Sequence, residues 1–531
     1  LWMLWTILVP TLGGLACGAL LQYVVPNARG SGIPQVKVAF ALNGGRVPFR
    51  DAIGKFLVGS LQIGSGASLG REGPTVQICA GIASQLGRMM SVSEKTQRRL
   101  LPVGVAAGIA AAFNAPIAAV TFTIEEVVGN LDQGVLSGVI VAAALAAVIE
   151  RSLLGETATF DVPQTYGLHH ASSLLTYAVI GVAAAAASYV FSESLLALRK
   201  RFQGLSRIPP WTRPAVGGAV TGTLAILAWW GFHTRGITGG GYDTLSRALT
   251  GQLAWRVMLA LTGMKLVATV FSYSSGGAGG IFAPSLFIGG TLGGAIGTLD
   301  IAVLGHTDEA IGAFALVGMG AVFSGVIRAP ITSILIIIEM TREYSLILPL
   351  MIANMTAYVL ARHWRRQSIY EALLEQDGIE LERRSSTGAL DGVGLGPMIN
   401  YQGPFLSFIP ALRAEEISGA AHHTGSQHVF PVLDEAKRLV GIITVDELRI
   451  LASEPDLHPL ANAADLMRSP VSVHPDDDLS IALEAMLTNG IREVPVTDHD
   501  GRFIGFIDEA TVAKAYLQRR SGRTVHGPVH H

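Results

Sequence analysis

Residues 66–74 read Gly-Ala-Ser-Leu-Gly-Arg-Glu-Gly-Pro, and a stretch of small and apolar residues, 75–86, follows. Glycines, then a proline where a helix would begin, is the pattern of a helix that starts abruptly. Two other places have the same form: Gly30-Ser31-Gly32-Ile33-Pro34, and Gly279-Gly280-Ile281-Phe282-Ala283-Pro284. Alone, each reads as a turn. Their surroundings change that reading.

The chain of 531 residues has 15% charged residues and 62 glycines, against roughly 25% charged and about 7% glycine in ordinary soluble domains. Its mean hydropathy is +0.45. Segments 1–28, 100–124, 162–192, 214–234 and 266–299 contain no Asp, Glu, Lys or Arg, and about 20 apolar residues suffice to cross a bilayer. The formal charge of −2 gives no footprint for nucleic acid. Cys17 and Cys79 lie in apolar or glycine-rich sequence and read as small buried hydrophobes, not as a disulfide framework or a thiolate metal site. The sequence opens at Leu1 without a start methionine or a signal-cleavage pattern, which predicts a preceding piece.

In hydrocarbon a broken helix survives only inside protein or beside a wet cavity. A helix starting there points unpaired N–H groups and its positive dipole end at the cavity, which makes an anion site without a formal cation. Three such breaks in one membrane region therefore predict an anion pathway. Two of them are related by a faint repeat: Gly66, Gly70 and Pro74 match Gly276, Gly280 and Pro284 at an offset of 210. Ala115-Pro116 followed by Glu125 matches Ala329-Pro330 followed by Glu339 at an offset of 214, each after Gly/Ala-rich sequence with a phenylalanine, Phe113 or Phe323. Interrupted segments at corresponding places in two halves point to a transporter binding site; parallel and inverted halves both fit.

The character changes after Ala361. Arg362, His363, Arg365 and Arg366 follow the last apolar run, and such a cluster favours the cytoplasmic side. A second repeat lies beyond: Val429-Phe430-Pro431-Val432, Asp434 and Gly441-Ile442-Ile443 recur as Glu493-Val494-Pro495-Val496, Asp498 and Gly505-Phe506-Ile507, at an offset of 64. Each copy reads as a helix, two short strands joined by a charged turn, and a second helix. Ala464-Asp465-Leu466-Met467 opens the clearer, second copy.

The three membrane motifs, in this order, resemble the signatures of the CLC family of chloride channels and proton-coupled chloride exchangers, and the tail resembles a tandem pair of CBS modules. The likeness spans the whole chain. It implies a mostly α fold: a polytopic membrane domain of two repeat halves with interrupted helices, followed by an α/β tandem CBS module. The expected layout is a transmembrane domain at 1–383, a linker at 384–397, CBS repeats at 398–454 and 463–520, and a tail at 521–531.

The resemblance also implies roles. Ser31 matches the serine whose hydroxyl contacts the central anion, in the form found in chloride-selecting members. Gly73, Ile281 and Phe282 match backbone contacts to the anion, and Tyr370 matches the tyrosine that completes the site. Glu72 matches the gating glutamate, a carboxylate that occupies an anion seat until protonation lets it leave. Glu126 matches the position where exchangers usually carry a proton-accepting carboxylate and channels an apolar residue. Exchange is thus favoured, with a passive voltage- or proton-gated chloride channel as the alternative; Glu339 is expected to be structural. Arg71 either draws anions inward or pairs at the surface.

The expected partners are chloride, protons and the lipid bilayer, with a homodimer of separate pathways in a plasma (inner) membrane and the CBS region in the cytoplasm. No cofactor is required by this reading. CBS pairs in many proteins hold adenine nucleotides; Thr444 and Glu447 keep the ribose-binding pattern in the first copy, but Asp508 replaces the hydroxyl in the second, so nucleotide binding is doubtful. Two remote rivals remain. Gly66-Ala67-Ser68-Leu69-Gly70 fits the G-x-S-x-G pattern of an intramembrane serine hydrolase, yet His169, His170, His233, His306 and His363 sit in no matching motif. A CBS-bearing divalent-metal transporter would need clustered intramembrane carboxylates.

Overall fold

The structure is a computed structural model. It describes residues 2–129, 133–155, 160, 172–306, 310–379, 390, 393–401, 403, 405–421, 427–453 and 461–520. Most of the expected linker, all of the expected tail, and His169 and His170 lie outside the described residues. The chain forms two compact units, Leu1–Leu381 and Glu382–His531.

The first unit is helical. Among the described residues six helices are long and apolar enough to span a membrane: Trp2–Tyr23, Gly134–Leu154, Ser173–Gly204, Pro210–Phe232, Trp255–Ser274 and Phe282–Leu304. Their exposed sides carry large apolar residues, such as Leu145, Val148 and Leu153 on one helix and Leu175, Val179 and Val182 on another. That exposure costs nothing in lipid. The helix Ile311–Ile327 is different, being buried at every residue from Gly312 onward. Helices Phe282–Leu304, Ile347–Trp364 and Ser173–Gly204 pack around it.

Two of the charge-free segments are not single spans. Segment 100–124 divides between helix Glu94–Phe113 and helix Pro116–Phe122, because Asn114 takes a left-handed conformation at φ 52° and Pro116 restarts the helix. Segment 266–299 divides between Trp255–Ser274 and Phe282–Leu304. Lack of charge marks burial in lipid or protein, whereas continuity is decided by glycine, asparagine and proline.

Glycine also sets the helix spacing. A Cβ at Gly18 would lie 1.9 Å from the Trp211 carbonyl oxygen, and one at Gly218 would lie 2.1 Å from that of Pro10. Helices Trp2–Tyr23 and Arg213–Phe232 thus touch backbone to backbone, as small-residue interfaces allow in membranes.

The expected repeat is visible as reciprocal bonding. The Glu125 carboxylate accepts from the amides of Ile331 and Thr332 (3.2 and 2.8 Å), at the start of helix Pro330–Thr341. The Glu339 carboxylate accepts from those of Ile117 and Ala118 (3.0 and 2.7 Å), at the start of helix Pro116–Phe122. Each half therefore caps the short helix of the other, as residues related by a local twofold would. Glu339 is structural in this sense.

In the second unit β1 (Val429–Leu433) pairs antiparallel with β2 (Leu439–Thr444), and β3 (Glu493–Thr497) with β4 (Phe503–Asp508). The two registers match residue for residue at the offset of 64, including an irregularity after Val432 and after Val496. The copies meet through their charged turns: the Leu439 amide donates to the Gly501 carbonyl (3.0 Å) and the Phe503 amide to that of Lys437 (3.1 Å). Lead-in segments are exchanged. Asn400 pairs with Phe506 of the second copy, whereas Arg468 pairs with Ile442 of the first.

Replacing Glu339 with alanine leaves two amides at the start of Pro116–Phe122 without their acceptor. Thermal unfolding in detergent should show a loss of about 1–2 kcal/mol, and Glu125→Ala should behave alike.

Candidate functional site

The three interrupted segments converge because their backbones bond to one another. Gly70 and Gly280, the equivalent glycines of the two halves, exchange both N–H···O bonds at 2.7 Å. Gly30 donates to the Gly277 carbonyl (2.9 Å) and accepts from the Gly279 amide (3.1 Å). The loops before helices Ile33–Ala41, Glu72–Met89 and Phe282–Leu304 are thereby stitched into one junction.

Gly73 lies at its middle. A Cβ there would come within 2.5 Å of the Ser31 carbonyl oxygen, 2.6 Å of its hydroxyl and 3.2 Å of the Gly280 Cα. Gly32, at φ 103°, is held equally close to the Gly73 carbonyl. Such contact lets helix starts approach one point with their amides still facing it.

Polar side chains support this junction from behind. Lys55, wholly buried, donates to the carbonyls of Ala28 (2.9 Å) and Gly30 (2.5 Å). Gln62 accepts from the Ala278 amide at 2.8 Å. Gln35 accepts from the Gly32 amide (3.0 Å) and donates to the Arg29 carbonyl (3.0 Å). Lys55 and Gln35 thus draw carbonyls outward, while Gln62 and Gln35 hold the amides of Ala278 and Gly32 in place.

Ser31, Ile281, Phe282 and Tyr370 are buried at this point. The Tyr370 phenol, on helix Ile369–Gln376, is close enough to Ser31 to interact with it. Both hydroxyl oxygens are buried, and neither makes a well-formed hydrogen bond to any other group. Buried polar atoms without partners are uncommon and costly, and two facing the same helix starts suit an anionic ligand. Phe282 is held in a ring cluster, with centroids 4.7 Å from Phe113 and 4.2 Å from Phe323, the repeat-related phenylalanines.

Glu72 begins helix Glu72–Met89 and is fully buried. Its carboxylate curls back over Gly70, where a Cβ would meet Oε2 at 2.2 Å. The amides of Glu72 and Ala283 lie near it. Oε1 accepts from the Tyr242 hydroxyl at 2.7 Å, and buried Oε2 has no partner. The carboxylate therefore occupies the region where two helix starts meet.

Glu126 lies in a π-helical turn, Thr123–Val128, of the kind often found at functional sites. It is 5% exposed and accepts from Lys37 Nζ at 2.7 Å. Interfacial solvation, usual for a carboxylate at the end of an apolar run, therefore does not apply to Glu126. Lys37 sits on helix Ile33–Ala41, whose first turn follows Ser31. Sequence reading missed Lys37, Tyr242 and Lys55. An odd lysine within an apolar helix was the available signal for Lys37 and Lys55; nothing local marked Tyr242.

The rival sites lack their geometry. The Ser68 hydroxyl is buried against that of Thr269 at 3.0 Å, with no histidine bonded to it. Among the described residues no group of three or more His, Cys, Asp or Glu could hold a metal.

In the second unit Thr444 and Glu447 satisfy each other: the Thr444 amide donates to Glu447 Oε2 at 2.9 Å and its hydroxyl donates to the same oxygen. Arg468 pairs with Oε1. Burial pushes the Glu447 carboxyl up, but the Thr444 bonds and Arg468 outweigh it and hold the group below the usual glutamate range.

Long apolar helices, interrupted segments meeting at buried helix starts, and a carboxylate seated among them define a membrane transport protein for small anions. Residues 13–362 match the family model described as voltage gated chloride channel, and residues 463–518 match the CBS domain model. A ClcB-like chloride channel protein of Ralstonia nicotianae is 35% identical over 378 residues, covering 70% of this chain and 86% of the relative. The H(+)/Cl(−) exchange transporter ClcA of Vibrio campbellii is 33% identical over 360 residues, 67% of this chain and 76% of the relative. The structure of a slow cyanobacterial Cl−/H+ antiporter superposes with a TM-score of 0.65 at 28% identity, covering 71% of this chain and 88% of that one. The chain belongs to the CLC family, with a CBS domain in its C-terminal region. It is an integral membrane protein of chloride transport, not an enzyme.

Gly73→Ala should lower chloride flux in reconstituted vesicles by more than about tenfold, since the added methyl forces Ser31 and Gly280 apart. Gly263→Ala, where a Cβ meets nothing within 4 Å, should leave flux unchanged.

Proposed function

We propose that the protein exchanges chloride for protons, with Glu72 as the gate and Glu126 as the acceptor of protons from the opposite side. The observation that carries this reading is the Glu72 carboxylate, fully buried at the meeting of two helix starts. An anionic side chain there excludes a mobile anion. Once neutral it loses its attraction to the helix dipoles and can leave. Ser31, Tyr370 and the backbone of Gly73, Ile281 and Phe282 would then hold the chloride.

Glu126 supports exchange over passive flow. Burial disfavours the ionised form of a carboxylate, and among the described residues Lys37 is the one cation bonded to it, so Glu126 is placed to take up a proton. The similar exchangers ClcA and the cyanobacterial antiporter favour the same reading; the ClcB-like channel protein is why a channel remains the second reading. We also place the CBS region in the cytoplasm and the protein in the plasma (inner) membrane as a homodimer. The basic residues after Ala361 support this orientation.

In reconstituted vesicles a chloride gradient should drive protons uphill. Glu72→Gln and Glu72→Ala should abolish proton movement while chloride flux persists, and Glu126→Gln should do likewise. Chloride flux without proton movement in the unmodified protein would establish the channel instead.

For the CBS region we infer a structural rather than a nucleotide-binding role. Thr444 and Glu447 bond each other, Arg468 occupies the acid, and Asp508 would repel phosphate. Titrating the purified protein with ATP, ADP or AMP should give no saturable heat.

A further inference from the structure

The contact between Tyr242 and Glu72 joins residues 170 positions apart, and the surrounding structure is built to hold it. Tyr242 opens the helix Tyr242–Leu249, directly after Gly239-Gly240-Gly241. Gly241 takes φ 80°, and a Cβ there would press on the Gly236 carbonyl oxygen at 2.6 Å and the Phe287 ring at 2.7 Å. A Cβ at Gly240 would meet the Tyr242 ring at 2.8 Å and the Ala283 Cβ at 3.5 Å. Only glycines let this loop lie flat on the start of helix Phe282–Leu304 and carry the phenol over it.

The loop is also fastened. Lys265, wholly buried, donates to the carbonyls of Gly236 (3.2 Å), Ile237 (3.0 Å) and Gly239 (2.6 Å), with its ammonium 5.1 Å from the Phe287 ring centroid. The Gly239 amide donates to the Ala67 carbonyl at 3.1 Å, tying the loop to the segment that leads into Glu72. On its far side the Tyr242 ring packs on Phe160, centroids 5.7 Å apart. A buried cation spent on three carbonyls is an expensive fastening for an ordinary loop. Its product is one fixed hydroxyl, 2.7 Å from Glu72 Oε1.

We propose that Tyr242 is a positioning residue for the gate: its hydroxyl latches the ionised Glu72 carboxylate in the pathway and so sets how acidic the medium must be before the gate leaves. This rests on Glu72 being the gate. Hydrogen bonds to a charged acceptor are stronger than those to a neutral one, so the latch holds the blocking form more tightly than the released form. The other charged or titratable groups facing the carboxylate are Arg71 beside it, Lys265 and Tyr370. All remain when the one hydroxyl is removed.

The test is chloride flux against pH in vesicles for the unmodified protein, Tyr242→Phe, Tyr242→Leu and Glu72→Gln. Flux should rise with acidity, and in Tyr242→Phe the half-maximal point should move to higher pH by about one unit, the equivalent of one charged hydrogen bond. Tyr242→Leu, which also loses the ring contact with Phe160, should shift by the same amount. In Glu72→Gln the pH dependence should vanish, and adding Tyr242→Phe should change nothing. An unmoved half-point in Tyr242→Phe overturns the latch, as does a shift seen only in Tyr242→Leu, which would assign the effect to ring packing. If Glu72→Gln keeps the pH dependence, it is the gate assignment that fails.

Discussion

A helix broken inside a membrane leaves amides and carbonyls with no water to satisfy them, and the fold depends on how this chain answers that constraint. Its answer is to pair the breaks with one another. Gly70 and Gly280 exchange two backbone bonds, and Gly30 exchanges two more with Gly277 and Gly279. The pairing brings the starts of three helices to one junction, and the proposed function gives their amides to the anion. The unusual glycine content follows from the same source, since backbone can meet backbone only where no Cβ intervenes. Fold and function thus draw on one shortage of hydrogen-bond partners.

Around that junction the protein uses charge sparingly and in assigned directions. Lys55 and Lys265 are both wholly buried, and each has carbonyls as its hydrogen-bond partners, fastening a loop beside the pathway. Glu125 and Glu339 cap short helices of the opposite half. Glu72 and Glu126, both buried, are the carboxylates to which the proposed function gives the proton. The same side-chain type is set differently in each place: Glu125 and Glu339 each accept from two amides at the start of a short helix, whereas Glu72 is wholly buried and takes the Tyr242 hydroxyl as its side-chain partner.

Much of this was legible in sequence because it rests on local chemistry. Glycine and proline announced the breaks at Ser31, Glu72 and Phe282, and the offset of 210 paired the two glycines that bond. The offset of 214 likewise paired Glu125 with Glu339 and gave the latter its structural reading. What stayed hidden was set by distance along the chain. Tyr242 reaches Glu72 across 170 positions and Lys37 reaches Glu126 across 89. Charge-free stretches also overstated helix length, since Asn114 and the glycines before Phe282 end helices without any charge.

The helix Ile33–Ala41 has a consequence of its own. It carries Ser31 just ahead of its first turn and Lys37 in its middle, about 9 Å further on at 1.5 Å per residue. Lys37 grips Glu126 at one point of this short rod, and the anion region lies at its tip. On the proposed roles of Ser31 and Glu126, a change of proton occupancy that alters the grip would be felt at the tip as a change in chloride affinity. By reciprocity, chloride arriving at Ser31 must then alter proton affinity at Glu126 by the same factor. Two ions that never touch would share a single lever.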